Sequence, residues 1–476
     1  MDFPAITHHG GVHGITGSCH QLHLDDGASL LVDCGMAQGA DARLDVGPGE
    51  LGFGVGGVLV LVVTHVHLDH VGRIPTLFGA GFRGPILCSE PSAKLLPLVL
   101  EDAYRLEISN EPVQVQRFLA LLERHIEPIP FAHWHVVIDR PGLYCAIRLQ
   151  RAGHLLGSAY VECEVRRAGK STRVVFSGDL GASGNPLLRP LEPPEWADVL
   201  VLESTYGDRL HVDRGERRQQ LEALIERALR DQGAILIPAF SLGRTQELLC
   251  ELEDILYRKA LFERSEGAPG GEFAGWARLP VILDSPLALR ITQVYRELHM
   301  YWREEARQRL VGGRDPLGFG QLVTIESHSS HQRVVNYLKS TGRPAIVIAG
   351  NGMCSGGRIV DYLKAMLGDP RHEVLFVGYQ AKGTPGAVIQ ASRAVEDVGQ
   401  VDLSGQLYQI RAKVLTLGGF SGHADQRGLL AFAQGCAAKR VLLVHGERAS
   451  KQALAQVLRQ ELPEGSFVAV AGHGGN

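Results

Sequence analysis

Short apolar runs punctuate this chain, and each ends on a polar or glycine-rich turn. Val58–Val63 is unbroken, Val174–Phe176 runs into "SGDLGASGNP", "SLLVDCG" closes on Asp33, and "RVLLVHGE" closes on His445. Runs this short, bounded by turn residues, predict buried strands. "YCAIRLQRAGHLLGSAYVECEV" predicts a strand, a turn bearing His154 and a second strand. Such units are dense up to about Asp208 and resume near Ile410. Between them the pattern changes. "GAILIPAFSLGRTQELLCELEDILYRKA" predicts a strand, a turn at Ser241–Gly243 and an amphipathic helix with Leu248, Leu249, Leu252, Ile255 and Leu256 on one side. "PVILDSPLALRITQVYREL" and "PAIVIAGNGMCSGGRIVDYLKAML" repeat that plan, and "EVLFVGYQAKGTPG" supplies a further strand. The recurrence predicts a parallel sheet with crossover helices. It reads as an α/β domain over 209–390 inserted between a first part (1–208) and a C-terminal part (391–476) of another, with "RSEGAPGGEFAGWARLP" as a surface loop within it.

At 476 residues, two or three domains are expected. A charged fraction of 21% beside 45% hydrophobic residues is that of a soluble globular protein. The net charge of −4 argues against a generally basic nucleic-acid binder, but leaves room for a local positive groove. No apolar stretch reaches the roughly eighteen residues of a membrane span, and "MDFPAITHHGG" does not read as a secretory signal. The eight cysteines include no C-x-x-C pair, so free buried thiols in a reducing cytoplasm are expected.

The chemistry concentrates where Val58–Val63 ends, in "THVHLDH". Alternate strand residues share a face, so His65 and His67 can address one ion, while the turn carries Asp69 and His70 round to a second position. Imidazole and carboxylate suit zinc, with manganese or iron as alternatives. The remaining ligands must come from elsewhere. His154, Asp179 and His445 each follow a short apolar strand, as His65 does. Singly each has a structural reading, Asp179 for instance as a turn cap. Asp33 is placed to accept a hydrogen bond from the far nitrogen of a ligating histidine. His133 and His135 share the i, i+2 spacing but lack a following carboxylate. They read as a strand face, and His8, His9, His328 and His331 likewise read as structural.

In order and context, Asp33, the H-x-H-x-D-H segment, His154 and Asp179 resemble the metallo-β-lactamase superfamily. "LVLESTYGDRLH", "FSGHADQ" and "LVHGE" are similar to motifs A, B and C of its β-CASP nucleases, at Glu203, His423 and His445. The resemblance implies an αββα sandwich with metals at one edge and an inserted β-CASP domain that caps it to form an RNA-width cleft. It implies two zinc ions, with manganese as a substitute. One would be held by His65, His67, His154 and Asp179, the other by Asp69, His70, Asp179 and His445. A water between the ions would be the nucleophile, oriented by Asp69. His423, polarised by Glu203, would protonate the leaving oxygen.

The implied substrate is single-stranded RNA, with no membrane partner and with a homodimer as an allowed assembly. Turns at strand ends can bind phosphate through backbone N–H groups. The candidates are Ser241 and Arg244, then Ser355, Gly356, Gly357 and Arg358, with Lys382 behind them and Ser421 beside a 5′-phosphate pocket. A glyoxalase-type thioesterase would share the metal core but has no need of Glu203, His423 or the insertion. A catalytically dead RNA-binding scaffold would have lost ligands that are all in place here. DNA-acting β-CASP nucleases tend to carry valine at motif C, so His445 favours RNA. Ending at "AVAGHGGN", the chain looks closer to compact bacterial β-CASP ribonucleases than to ribonuclease J. Endonuclease action is therefore expected over 5′→3′ exonuclease action.

Overall fold

The structure is a computed structural model. It describes residues 4–39, 41–43, 49–211, 213–265, 275–378, 380–392, 399–418, 420, 422–472 and 474–475. Two compact units divide the chain: Met1–Leu210 with Gly422–Asn476, and His211–Ser421.

The first unit holds two seven-stranded sheets. One runs in the order Gly474–Gly475, Ala5–Gly10, Cys19–His23, Ser29–Val32, Val58–Val62, Ile86–Ser89, Ile126–Ile129. The other runs Phe467–Val470, Arg440–Leu443, Val199–Leu202, Lys170–Phe176, Ala159–Arg167, Leu143–Arg151, Trp134–Arg140. Each is parallel in one half and antiparallel in the other. The parallel strands are the unbroken apolar runs, as burial on both faces requires. Leu22, Leu30, Val60 and Val62 of the first sheet meet Ile147, Val161, Val174 and Phe176 of the second in one dry core. On the outer face of the second sheet, Tyr160, Val175 and Leu200 pack against Leu429 and Phe432 of helix Gln426–Gly435 and Leu454 and Leu458 of helix Arg448–Glu461. Helix Glu90–Glu107 packs on strands Ile86–Ser89 and Ile126–Ile129 of the first sheet, and helix Pro112–His125 packs on that helix. This is the expected αββα sandwich.

The second unit is built on six strands, all parallel, in the order Leu322–Thr324, Val281–Asp284, Ala345–Ala349, Ala234–Pro238, Glu373–Phe376, Lys413–Thr416. It continues past residue 390, because Lys413–Thr416 pairs with Glu373–Phe376 and extends the same sheet. Pro238 pairs with Ala349, so the turns at Ser241–Gly243 and 350–357 leave the sheet side by side. Helix Arg244–Ser265 buries Leu248, Leu249, Leu252, Ile255 and Leu256, as its pattern predicts. It also buries Glu247, Glu251, Glu253 and Asp254. Those carboxylates are matched by Arg217, Arg218, Arg309 and Arg314. Much of the expected loop 264–280 lies outside the described residues, but Trp276 within it is fully buried. All eight cysteines are free and buried. No helix among the described residues is long and apolar enough to cross a membrane.

Candidate metal centre

Strand Val58–Val62 delivers "THVHLDH" to the edge of the first unit, and the chain turns there into the short helix Leu68–Val71. Asp33 ends the neighbouring strand Ser29–Val32 in a left-handed conformation, φ 62°, which is uncommon for a residue with a Cβ. Its buried carboxylate is filled on both oxygens. Thr64 N–H donates to Oδ1 at 2.8 Å, while the Thr64 hydroxyl and His70 Nδ1 each donate to Oδ2 at 2.7 Å. That bond fixes the His70 ring with Nε2 facing the site.

Two sets of donor atoms converge. In the first, His67 Nδ1 lies 3.2 Å from both His65 Nε2 and His154 Nε2. Asp179 Oδ2 lies 3.4 and 3.6 Å from the same two ring nitrogens. Four donors placed tetrahedrally about 2.0–2.1 Å from zinc would stand about 3.4 Å apart, so this spacing fits the ion. In the second set, His70 Nε2 is 3.3 Å from His445 Nε2 and 3.2 Å from Asp179 Oδ1, and His445 Nε2 is 3.4 Å from Asp69 Oδ2. Asp179 thus presents one oxygen to each set. Its Oδ1 is buried and accepts no hydrogen bond among the described residues, a costly state for a carboxylate unless a cation completes it.

The ligands are held by local features. The His154 turn is pinned by Ser158, whose hydroxyl accepts from His154 N–H at 2.9 Å and Leu155 N–H at 3.0 Å. Gly178, before Asp179, has φ 51°, and a Cβ there would stand 2.7 Å from Thr64 Cβ, so glycine alone fits. His445 follows strand Arg440–Leu443 at φ 47°. Its N–H donates to Gly11 O at 2.6 Å, and Ser204 N–H donates to its carbonyl at 2.9 Å. Thr205 Oγ1 lies 3.1 Å from His445 Nδ1.

Beside the second set stands His423, whose segment is bridged to the Asp179 turn through Gly181. Its Nδ1 donates to both oxygens of Glu203 at 3.2 Å. Glu203 is fully buried, and its Oε1 also accepts from Leu180 N–H at 2.8 Å. Burial opposes the charged form of His423, but Glu203 and Asp179 outweigh it and push the ring up to about 9. Burial lowers His67 to about 4, leaving it neutral, as a metal ligand must be. Burial would raise Asp179, but the rings of His445, His70, His423 and His65 hold it well below the usual carboxylate range.

All the residues singled out for the metal edge are therefore brought together in one unit. His65, His67, His154 and Asp179 form one donor group, Asp69, His70 and His445 a second, and Asp179, Glu203, His423 and His445 a third. His133 and His135 are in none of them. Two threonines were missed. Thr64 and Thr205 each adjoin a flagged motif, so their positions were a usable signal. The phosphate-binding candidates in the second unit fare differently. Arg358 is committed to Asp284 at 2.5 Å and to the carbonyls of Ile325 and Glu326, and Arg244 to Glu247 and Phe420 O. Ser241 bonds the Ser285 hydroxyl at 3.1 Å, and Ser355 accepts from Asn351 at 3.2 Å. Gly356 carries no side chain to place, Lys382 is exposed, and Ser421 lies outside the described residues.

Three family models match the chain. They are the metallo-beta-lactamase superfamily over residues 17–239, the Beta-Casp domain over 245–389, and the Zn-dependent metallo-hydrolase RNA specificity domain over 407–469. A ribonuclease of Thermus thermophilus is 37% identical over 449 residues, 94% of each chain. Transcription termination factor FttA of Methanocaldococcus jannaschii is 28% identical, over 96% of this chain and 69% of that one. A crystal structure of a protein of unknown function from Enterococcus faecalis V583 superposes with a TM-score of 0.53 at 12% identity, covering 99% of this chain and 98% of its own. That likeness concerns the fold alone. With donor geometry, motif order and near full-length identity in agreement, the chain belongs to the β-CASP family of the metallo-β-lactamase superfamily.

Proposed function

We propose that this chain is a metal-dependent ribonuclease that cleaves single-stranded RNA with two zinc ions, manganese serving as a substitute. The carrying observation is the pair of Asp179 oxygens, one turned to His65 and His154 and the other to His70. His65, His67, His154 and Asp179 would hold one ion, and Asp69, His70, Asp179 and His445 the other. When bound, such ions polarise a phosphoryl oxygen and lower the pKa of water toward neutrality. The chain's own residues do the rest. Asp33 keeps His70 in one tautomer, and Thr205 steadies the His445 ring. Asp69, with its side chain 20% exposed, orients the attacking water. His423, also 20% exposed at its side chain and anchored by Glu203, gives a proton to the leaving oxygen.

The match to an RNA specificity domain and to a named ribonuclease supports RNA as substrate. Endonuclease action is the proposed mode. Arg244 and Arg358, the arginines of the two glycine-rich turns, are spent on internal partners. Eight free buried thiols support a reducing cytoplasm as its location. The test is a metal count joined to an RNA cleavage assay. Two zinc ions per chain are expected, with cleavage lost to a chelator and restored by zinc. A protein that binds fewer than two ions yet cleaves RNA fully overturns the two-ion reading.

A further inference from the structure

The outer face of the second sheet carries a row of side chains that the metal centre does not use. Trp134 on the edge strand Trp134–Arg140 is paired in register with Arg148, and Arg148 with Glu162. The Arg148 guanidinium lies over the Trp134 ring at 4.7 Å. Arg173 lies 5.5 Å from the same ring and 4.3 Å from the ring of Trp196. Glu162 is fully buried beneath, accepting two hydrogen bonds from Arg148 at 3.0 and 2.9 Å. The arginines are thus locked as flat plates, and the order Trp196, Arg173, Trp134, Arg148 is a built ladder.

A ladder that served only to cover the sheet would bury its rings, yet Trp134 is 37% and Trp196 38% exposed. The other two of the chain's four tryptophans, Trp276 and Trp302, are fully buried. The ladder's strands lead toward the metal edge, with Tyr160 and Val175, next along the same face, packed under helix Gln426–Gly435. Arg148 belongs to strand Leu143–Arg151, which runs into the His154 turn, and Arg173 to strand Lys170–Phe176, which runs into Asp179. His154 follows Arg148 by six positions along the chain, at most roughly 20 Å.

We propose that Trp134 and Trp196, with Arg148 and Arg173, form a second contact surface for single-stranded RNA, which stacks bases on the strand leading away from the cleavage site. Exposed indole rings stack any base, and such stacking tolerates every sequence, while the Arg148 and Arg173 side chains, 21% and 12% exposed, hold the rings in place. Glu162 offsets part of the arginine charge, so the contact is made mainly by stacking on the indole rings. The inference rests on the ribonuclease reading.

Its test uses the full-length, zinc-loaded protein and unstructured RNAs of 6 and 24 nucleotides. Because two tryptophans are buried and two are exposed, RNA is expected to quench a large part of the intrinsic fluorescence. Trp134→Ala with Trp196→Ala should abolish that quenching and raise KM for the 24-mer about tenfold, and by more than for the hexamer. Trp134→Phe with Trp196→Phe should lose the quenching but keep the wild-type KM. Unquenched wild-type protein that still cleaves the 24-mer overturns the ladder and leaves the ribonuclease reading intact. So does an alanine variant with an unchanged KM, or one whose only change is a lower sedimentation coefficient, which would assign the face to a second copy. A wild-type protein that cleaves neither RNA overturns the ribonuclease reading itself.

Discussion

Asp179 is the residue on which the site turns, because both donor sets lean on the same carboxylate. Asp179→Ala is expected to lose zinc and abolish cleavage without unfolding the protein; retention of two ions with normal activity would refute the shared role. His423→Ala makes the contrasting prediction. It should keep both ions and slow turnover by about a hundredfold, and a variant that lost metal instead would make His423 a ligand. Away from the donors, Lys451 is 2% exposed and donates to Val12 O at 2.5 Å. Burial drives its pKa down to about 8. The folded state therefore binds fewer protons than the unfolded one between pH 8 and the ordinary lysine value near 10.5. Stability from this group rises with pH across that window, by about 1.4 kcal/mol per unit at most, and is lost as pH falls through 8. Lys451→Met should flatten that part of the curve in urea titrations run from pH 7 to 9.5.

At the scale of elements, what the sequence could reveal divides by the range of the interaction. The strand ends bearing His65, Asp179 and His445 were legible because a short apolar run and the residue after it are neighbours in the chain. Arg358 was not, because its partner Asp284 is 74 residues away, and a turn full of glycines looks the same whether its arginine faces solvent or the interior. Helix Arg244–Ser265 teaches the same lesson. Its leucine stripe is plain in the sequence, but nothing there marks four of its acidic residues as buried. They are buried because the arginines that neutralise them come from elsewhere in the chain. Arg217 is 3% exposed and meets Glu247 at 3.3 Å and Glu251 at 3.1 Å. Without it Glu247 keeps Arg244 and Glu251 keeps Arg218, so the loss is of charged hydrogen bonds and not of a sole partner. Arg217→Met is accordingly expected to destabilise the second unit by about 1.5–3 kcal/mol, seen as early proteolysis of 211–421 at a temperature where the wild type resists. A variant as resistant as wild type would show that these pairs are solvated.

For the whole molecule, the open matter is how RNA reaches the ions, and the catalytic residues cannot decide it. Internal cleavage and stepwise removal from a 5′ end would use the same ligands and the same general acid. What separates them is the presence of a seat for a terminal phosphate. An end-binding enzyme needs cations free to meet two negative charges, and a bidentate arginine is the best of these. Arg244 and Arg358, the arginines at the two glycine-rich turns, already hold carboxylates and carbonyls. Lys382 is exposed but is a single flexible charge. Endonuclease action is the proposed mode, and a circular single-stranded RNA tests it because it offers no end. The zinc-loaded protein should linearise the circle at a rate comparable to its cleavage of the same sequence with open ends, whether those ends carry a 5′-phosphate or a 5′-hydroxyl. A circle left intact, while mononucleotides are released early from the 5′-phosphorylated linear form, would sink the endonuclease reading.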